Sequence, residues 1–211
     1  MTRANTARRQ GDDFQARLFW LRASSMLDPT SPVVKVGYEI GPKSFDDIWV
    51  EYDPANAPLD HEGQPIKRRH IQCKWHTSAG AFGHDDLIDP SFINAERFSL
   101  LQKAHHAQTV HAHDGIGTRF ELLTNWRIKH DDPLIDLVAK ESDAIRLPRL
   151  FDGTVTDSSR MGRVRKLWRD HLALDDPGLQ RVARTLAIVE DTTSLRRPRT
   201  ITATSSVCGV V

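Results

Sequence analysis

Three short segments rich in β-branched and aromatic residues dominate what this chain can fold into. They are residues 33–40 (Val-Val-Lys-Val-Gly-Tyr-Glu-Ile), 47–52 (Asp-Ile-Trp-Val-Glu-Tyr) and 68–75 (Arg-Arg-His-Ile-Gln-Cys-Lys-Trp). Each has the length and composition of a strand. The first two are separated by residues 41–46, which open with the turn signal Gly41-Pro42-Lys43-Ser44 and are too few for a crossover, so they form an antiparallel hairpin. A polar, proline-punctuated loop leads to the third. A helix precedes them: Phe14, Leu18, Leu21 and Ser25 share one stripe, Asp12 or Asp13 can cap its start, and Asp28-Pro29 ends it. Residues 77–91 read as an irregular loop. Residues 92–108 read as a second helix behind Asp89-Pro90, with Phe98, Leu101 and Ala104 on one face. Residues 120–125 are a fourth strand, and residues 133–144 a further helix.

Beyond Leu147 the pattern is helical. Met161, Val164, Leu167, Trp168 and Leu172 form an apolar stripe, and residues 178–189 give one more amphipathic helix. Strands interleaved with helices predict an α/β fold with a central mixed sheet flanked by helices and a helical C-terminal extension. The expected organisation is a flexible basic arm over residues 1–12, a core over 13–145, a helical extension of the same domain over 146–195, and a tail over 196–211. Trp20, Trp49, Trp126 and Trp168 fall at expected core positions, and Trp75 is expected to pack.

Side chains alternate faces along a strand, so Gln72 and Lys74 point one way while Ile71 and Cys73 point the other. Asp47 opens the second strand and Glu39 closes the first, so the hairpin brings both carboxylates to one end of the sheet. If the third strand pairs beside them, two acids, an amide oxygen and an ammonium converge. Phosphodiester hydrolysis uses such a set. A divalent cation polarises the phosphate and acidifies a water, and Mg²⁺ and Mn²⁺ prefer oxygen ligands. Asp47, Glu39, the Gln72 side chain and the Cys73 backbone carbonyl can supply those oxygens. Lys74 can orient the water or stabilise developing charge. A sheet edge with solvated charges is the competing account.

These motifs carry a resemblance. An acid on the second strand with Gln72-Cys73-Lys74 on the third resembles the PD-(D/E)xK nuclease superfamily, with its restriction-endonuclease-like core. Gly11-Asp12-Asp13-Phe14-Gln15, Phe19-Trp20, Tyr38-Glu39, Asp46-Asp47-Ile48 and Ile71-Gln72-Cys73-Lys74-Trp75-His76 look like one branch of it. That branch is the N-terminal double-stranded-DNA endonuclease domain of bacterial anti-phage effectors, among them CBASS endonucleases and STAND-ATPase defence proteins. The resemblance covers roughly residues 11–130. More faintly, residues 150–153 and 161–168 look like an extension found in such proteins. It implies Asp47 and Gln72 as metal ligands, Lys74 as the catalytic lysine, Glu39 as an additional acid, and Gln15 as a residue touching the site. It departs from the namesake motif in carrying Gln72 where an acid stands, which weakens metal binding. It also implies control by a sensor domain or partner. Cutting both strands of DNA calls for a homo-oligomer when active. The rival reading is an inactive nuclease-fold module that binds DNA or a protein.

The remaining features are bounded by composition. The net charge is +1, so any basic footprint is local. Lys67-Arg68-Arg69 and Arg163, Arg165 and Lys166 are the expected DNA-binding patches, through phosphates rather than bases. Two cysteines exclude a disulfide framework and a four-cysteine zinc site. His105, His106, His111 and His113 invite a zinc reading, but their spacing fits no zinc pattern. His76 and His84 follow Lys74 and could reach the site, although polar loop residues are the simpler account. There is no secretory signal or membrane-spanning run, so the expected location is cytoplasmic.

Overall fold

The computed structural model describes residues 3–42, 45–154 and 156–190. A first helix, α1 (Arg3–Ser24), leads into the hairpin of β1 (Val33–Tyr38) and β2 (Ile48–Tyr52) and then β3 (Arg68–Lys74). After a short strand β4 (Ala81–Phe82) come α2 (Leu100–His111), β5 (Thr118–Thr124) and β6 (Arg127–Ile128). The chain closes with α3 (Leu134–Leu137), α4 (Leu147–Phe151), α5 (Arg160–Leu172), α6 (Asp176–Thr185) and β7 (Leu186–Glu190). The central sheet has the order β1-β2-β3-β5-β7, and β4 pairs with β6 in a small second sheet. The pairs β1/β2 and β2/β3 are antiparallel, whereas β3/β5 and β5/β7 are parallel. This is a mixed five-stranded α/β fold consistent with a restriction-endonuclease-like core. No helix among the described residues is long and apolar enough to cross a membrane.

Alternation along the strands sorts the core into two layers. Ile48, Val50, Ile71 and Leu123 face α1 and bury Phe14 and Leu18. Phe120, Leu122, Leu186 and Ile188 face the other way, onto Leu101, Ala104 and Ala107 of α2, Trp168 of α5 and Leu179 and Val182 of α6. The helix between parallel β3 and β5 is α2, so these three elements form a β-α-β crossover. The helix therefore runs back along the sheet, with its N-terminus near the C-terminal end of β3.

Several expectations need correction. Residues 3–12 are the first turns of α1 rather than a flexible arm; alanine, arginine and glutamine are good helix formers, and Gly11 is tolerated. The second helix begins eight residues later than expected. Ser99 and Gln102 form a reciprocal capping box, while Pro90–Ile93 is a separate 3₁₀ turn ended by left-handed Asn94. Phe98 therefore precedes the helix and is 54% exposed. The segment 133–144 keeps only one helical turn, α3, before a bridge between Val138 and Ile145 folds it back. Residues 186–189, expected as helix, belong to strand β7 (Leu186–Glu190), and so the extension supplies a strand to the sheet itself. A continuous apolar run does not distinguish a buried helix from a buried parallel strand. The loop 77–91 includes β4 and a 3₁₀ turn. Of the tryptophans, Trp168 is fully buried, but Trp20 is 69% exposed and Trp75 remains partly exposed while packing 5.1 Å from Phe14. The expected tail 196–211 lies outside the described residues.

His70 on β3 links packing to pH. Its ring stacks on Phe120 at 5.8 Å and lies 6.1 Å from His111. Burial, then the charges of His111 and Arg68, push its pKa down from 6.5 to about 4. The folded chain keeps this ring neutral, while the unfolded chain protonates it below about 6.5. The associated stability is complete above pH 6.5 and is lost as pH falls toward 4, by at most about 3 kcal/mol. Denaturant unfolding at pH 7 and pH 4.5 should show this loss, and His70→Leu should make it shallower. An equal loss in the variant would assign it to carboxylates instead.

Candidate active site

Four of the expected residues meet at one end of the sheet, and backbone geometry explains how. The β2/β3 pairing ends at Ile48 opposite Ile71, so the Cys73 N–H has no strand partner on that side. The Asp47 carboxylate takes its place: Oδ2 accepts from Cys73 N at 2.6 Å and from the Gln72 side-chain amide. An unpaired N–H is costly in a partly buried place, so this bond fixes the carboxylate orientation. Gln72 donates through its nitrogen, which leaves Oε1 as its outward atom. The amide of Gln15 on α1 donates to the Asp47 carbonyl at 3.3 Å, so α1 buttresses the same residue. Glu39 sits across the turn with its N–H on the Asp47 carbonyl at 3.0 Å. Its φ of 51° is left-handed, and its side chain is exposed. The structure thus places Glu39 beside the group, joined to it through the backbone. Lys74 is half-buried on the same face as Gln72.

Burial perturbs the two charged groups of the site in opposite senses. Burial holds the Asp47 carboxyl above its ordinary range, and Asp46 adds to this, against the pull of the Cys73 N–H, Lys74 and Gln72. Burial also draws the Lys74 ammonium below its ordinary value, with Lys103 adding to it and Asp47 opposing it. Perturbed groups of opposite sign on one concentrated patch are typical of functional sites. The Cys73 thiol is pushed well up by burial and is inert as a nucleophile. Oxygen donors of Asp47, Gln72, the Cys73 carbonyl and Glu39 suit a hard divalent cation, and no soft ligand competes.

His76 is clamped just beyond Lys74. Asn125 accepts from its N–H at 2.8 Å and donates to its carbonyl at 2.7 Å, and the ring stacks on Trp126 at 3.7 Å. Burial and the Lys74 charge lower its pKa, so the ring is neutral near pH 7. His84 does not join this group. It binds Asp132 through its N–H at 3.0 Å and Nδ1 at 2.9 Å. His84, Asp85 and Asp132 bring potential ligand atoms within 4.8 Å of one another, and Lys129 lies 4.0 Å from Asp85 and 3.1 Å from Asp86. Among the described residues, His105, His106, His111 and His113 assemble no such group.

The expected DNA-binding residues are not brought to this end. Lys67, Arg68 and Arg69 sit at the opposite end of β3, and Arg68 is about 20 Å from Lys74 along the strand. Arg69 pairs with buried Glu121 at 3.2 Å, and Arg68 pairs with Glu51 at 3.5 Å. On α5, Arg165 pairs with Asp157 at 3.1 Å, Lys166 pairs with Asp170, and Arg163 donates to the Ser158 carbonyl at 2.7 Å. Both basic runs are largely spent on neighbouring acids and carbonyls. The cation that sequence reading missed is Lys103, whose relation to Lys74 depends on the path of α2.

No family model matches the chain. It is similar to CD-NTase-associated protein 4 of Enterobacter hormaechei subsp. hoffmannii (strain UCI 50). The two are 44% identical over 176 residues, which are 82% of this chain and 34% of that protein. The chain thus spans about a third of the relative's length.

A divalent cation taken up by Asp47 should stabilise the fold. At a hundred times its dissociation constant the gain is about 2.7 kcal/mol, or roughly 5–10 °C in melting temperature. Thermal melts with Mg²⁺ or Mn²⁺ should show this rise, and Asp47→Ala should remove it. An equal rise in Asp47→Ala would place the ion elsewhere, with the His84–Asp132 acids the first alternative.

Proposed function

We propose that this chain is a metal-dependent endonuclease module that hydrolyses double-stranded DNA with little sequence preference and serves anti-phage defence. The observation that carries the reading is the convergence of Asp47, Gln72 and Lys74 on one face at the end of β3, with Asp47 oriented by the Cys73 N–H. The resemblance to defence endonucleases supports the reaction class. The name of the relative, CD-NTase-associated protein 4, is in keeping with a defence setting and with control by a nucleotidyltransferase-linked signal, a sensor domain or a partner. Cleavage of both strands in this reading uses two copies of the site, hence a homo-oligomer in the active state.

Asp47, Gln72 Oε1, the Cys73 carbonyl and Glu39 would hold Mg²⁺ or Mn²⁺. Bound there, the ion polarises the phosphate and lowers the pKa of its water. The chain's own groups do the positioning. Two donors lock Asp47 through one oxygen, leaving the other for the ligand side. Lys74 directs an ammonium at the non-bridging phosphate oxygens, where charge grows in the transition state. Gln72 is neutral, so Asp47 and Glu39 supply the ligand charge. Gln15 keeps Asp47 from shifting with the turn.

The neutral Gln72 also favours a second reading, a module that binds DNA or a protein without cutting. Incubation of the purified chain with plasmid DNA and Mg²⁺ or Mn²⁺, free and forced to oligomerise, separates the two. The nuclease reading expects cutting that falls at least about 100-fold in both Asp47→Ala and Lys74→Ala. Absence of cutting in every condition, or cutting that survives both substitutions, would overturn it.

A further inference from the structure

Arg68, Arg69, Arg165 and Lys166 are paired with acids and Lys67 lies at the far end of β3, so the nuclease reading leaves open how the site grips a polyanion. The path of α2 supplies an answer. His111, in the last turn of α2, faces His70 on β3 at 6.1 Å between ring centroids. From that contact α2 runs back against β3, as a β-α-β crossover requires. Lys103 lies eight residues before His111, or ~12 Å along the helix. Lys74 lies four residues beyond His70, or ~13 Å along the strand. The two lengths match, and both elements meet on the sheet face that also bears Asp47 and Gln72. Lys103 is four residues from buried Ala107, so it borders the helix face that packs on the sheet, and it is itself half-buried. Its charge acts on Lys74. Among the described residues, no acid forms an ion pair with it. The partly positive N-terminal end of α2 lies at the same end of the sheet.

We propose that Lys103 is a phosphate-positioning residue, which holds the DNA backbone phosphate next to the one addressed by Lys74 and Asp47. This rests on the nuclease reading for the identity of the substrate. A half-buried ammonium without a counter-ion, beside a second ammonium, gains most from an anion that bridges them. Successive phosphates of a nucleic-acid strand offer two such negative charges in a row. The two lysines then divide the work: Lys74 meets the reacting phosphate, and Lys103 sets the register of the strand.

The test is duplex DNA binding by the full chain in Ca²⁺, measured across a salt series, with thermal melts to check folding. Lys103→Gln should weaken binding by about five- to tenfold and lower the salt slope by about 1. Lys103→Arg should restore both. Lys67→Gln removes the same charge at the far end of β3 and should change affinity less than about twofold. In a cleavage assay Lys103→Gln should raise KM more than it lowers kcat. Wild-type affinity in Lys103→Gln, an equal loss in Lys67→Gln, no rescue by arginine, or no duplex binding by the wild type would overturn the proposal. If Lys74→Ala abolishes cutting while Lys103→Gln binds normally, the nuclease reading stands and this proposal fails. If Lys103→Gln weakens binding while Lys74→Ala still cuts, the phosphate contact stands and the assigned active site fails.

Discussion

The bond from Cys73 N–H to the Asp47 carboxylate organises this end of the molecule. It arises because the β2/β3 ladder stops at Ile71, two residues before Cys73, leaving a main-chain donor without a partner on β2. A side-chain carboxylate completes the ladder in place of a carbonyl. Three consequences follow from one contact. The acid is oriented without a dedicated loop, the Gln72 amide is drawn onto the same oxygen, and a charge is kept in a partly desolvated place that raises its pKa. The Gln15 amide and the Glu39 N–H both donate to the Asp47 carbonyl.

The topology decides why this happens at this end and not the other. Strands β3, β5 and β7 are parallel, and the carboxyl ends of parallel strands are where crossover helices begin and where binding sites collect. The opposite end carries the Arg69–Glu121 pair and Arg119, whose guanidinium donates to the Ser142 carbonyl at 3.3 Å. There Arg69 is paired with a buried carboxylate, whereas Arg119 is held by a main-chain carbonyl. At the carboxyl end burial raises the Asp47 pKa and lowers that of Lys74.

Much of the site was legible because it obeys local rules. A period of two puts Gln72 and Lys74 on one face, and the hairpin brings the Asp47 and Glu39 main chains together; both depend on residues close in sequence. The central strands and the amphipathic stripe of Phe14 and Leu18 were equally plain. The errors share a physical cause. The run 186–190 looks the same as helix or strand until a neighbouring strand offers it hydrogen bonds. The start of α2 was misplaced because the Ser99–Gln102 capping box was outweighed by the earlier Asp89-Pro90 signal. The basic runs looked like a nucleic-acid footprint because their counter-ions, Asp157, Glu51 and Glu121, lie elsewhere in the sequence or on facing strands.

By itself, the amino-acid sequence determined the α/β class, the placing of Gln72 and Lys74 on one face of a strand near Asp47, and the exclusion of a disulfide framework and a four-cysteine zinc site, since period and composition are local properties. Only the tertiary structure decided that Asp47 is fastened by Cys73, that β7 belongs to the sheet, that the Lys67–Arg69 run lies at the far end, and that Lys103 is carried back along β3 to the Lys74 end. Each of these depends on which edge of a strand is left unpaired or on the direction of a crossover, and both are settled only when distant segments pack.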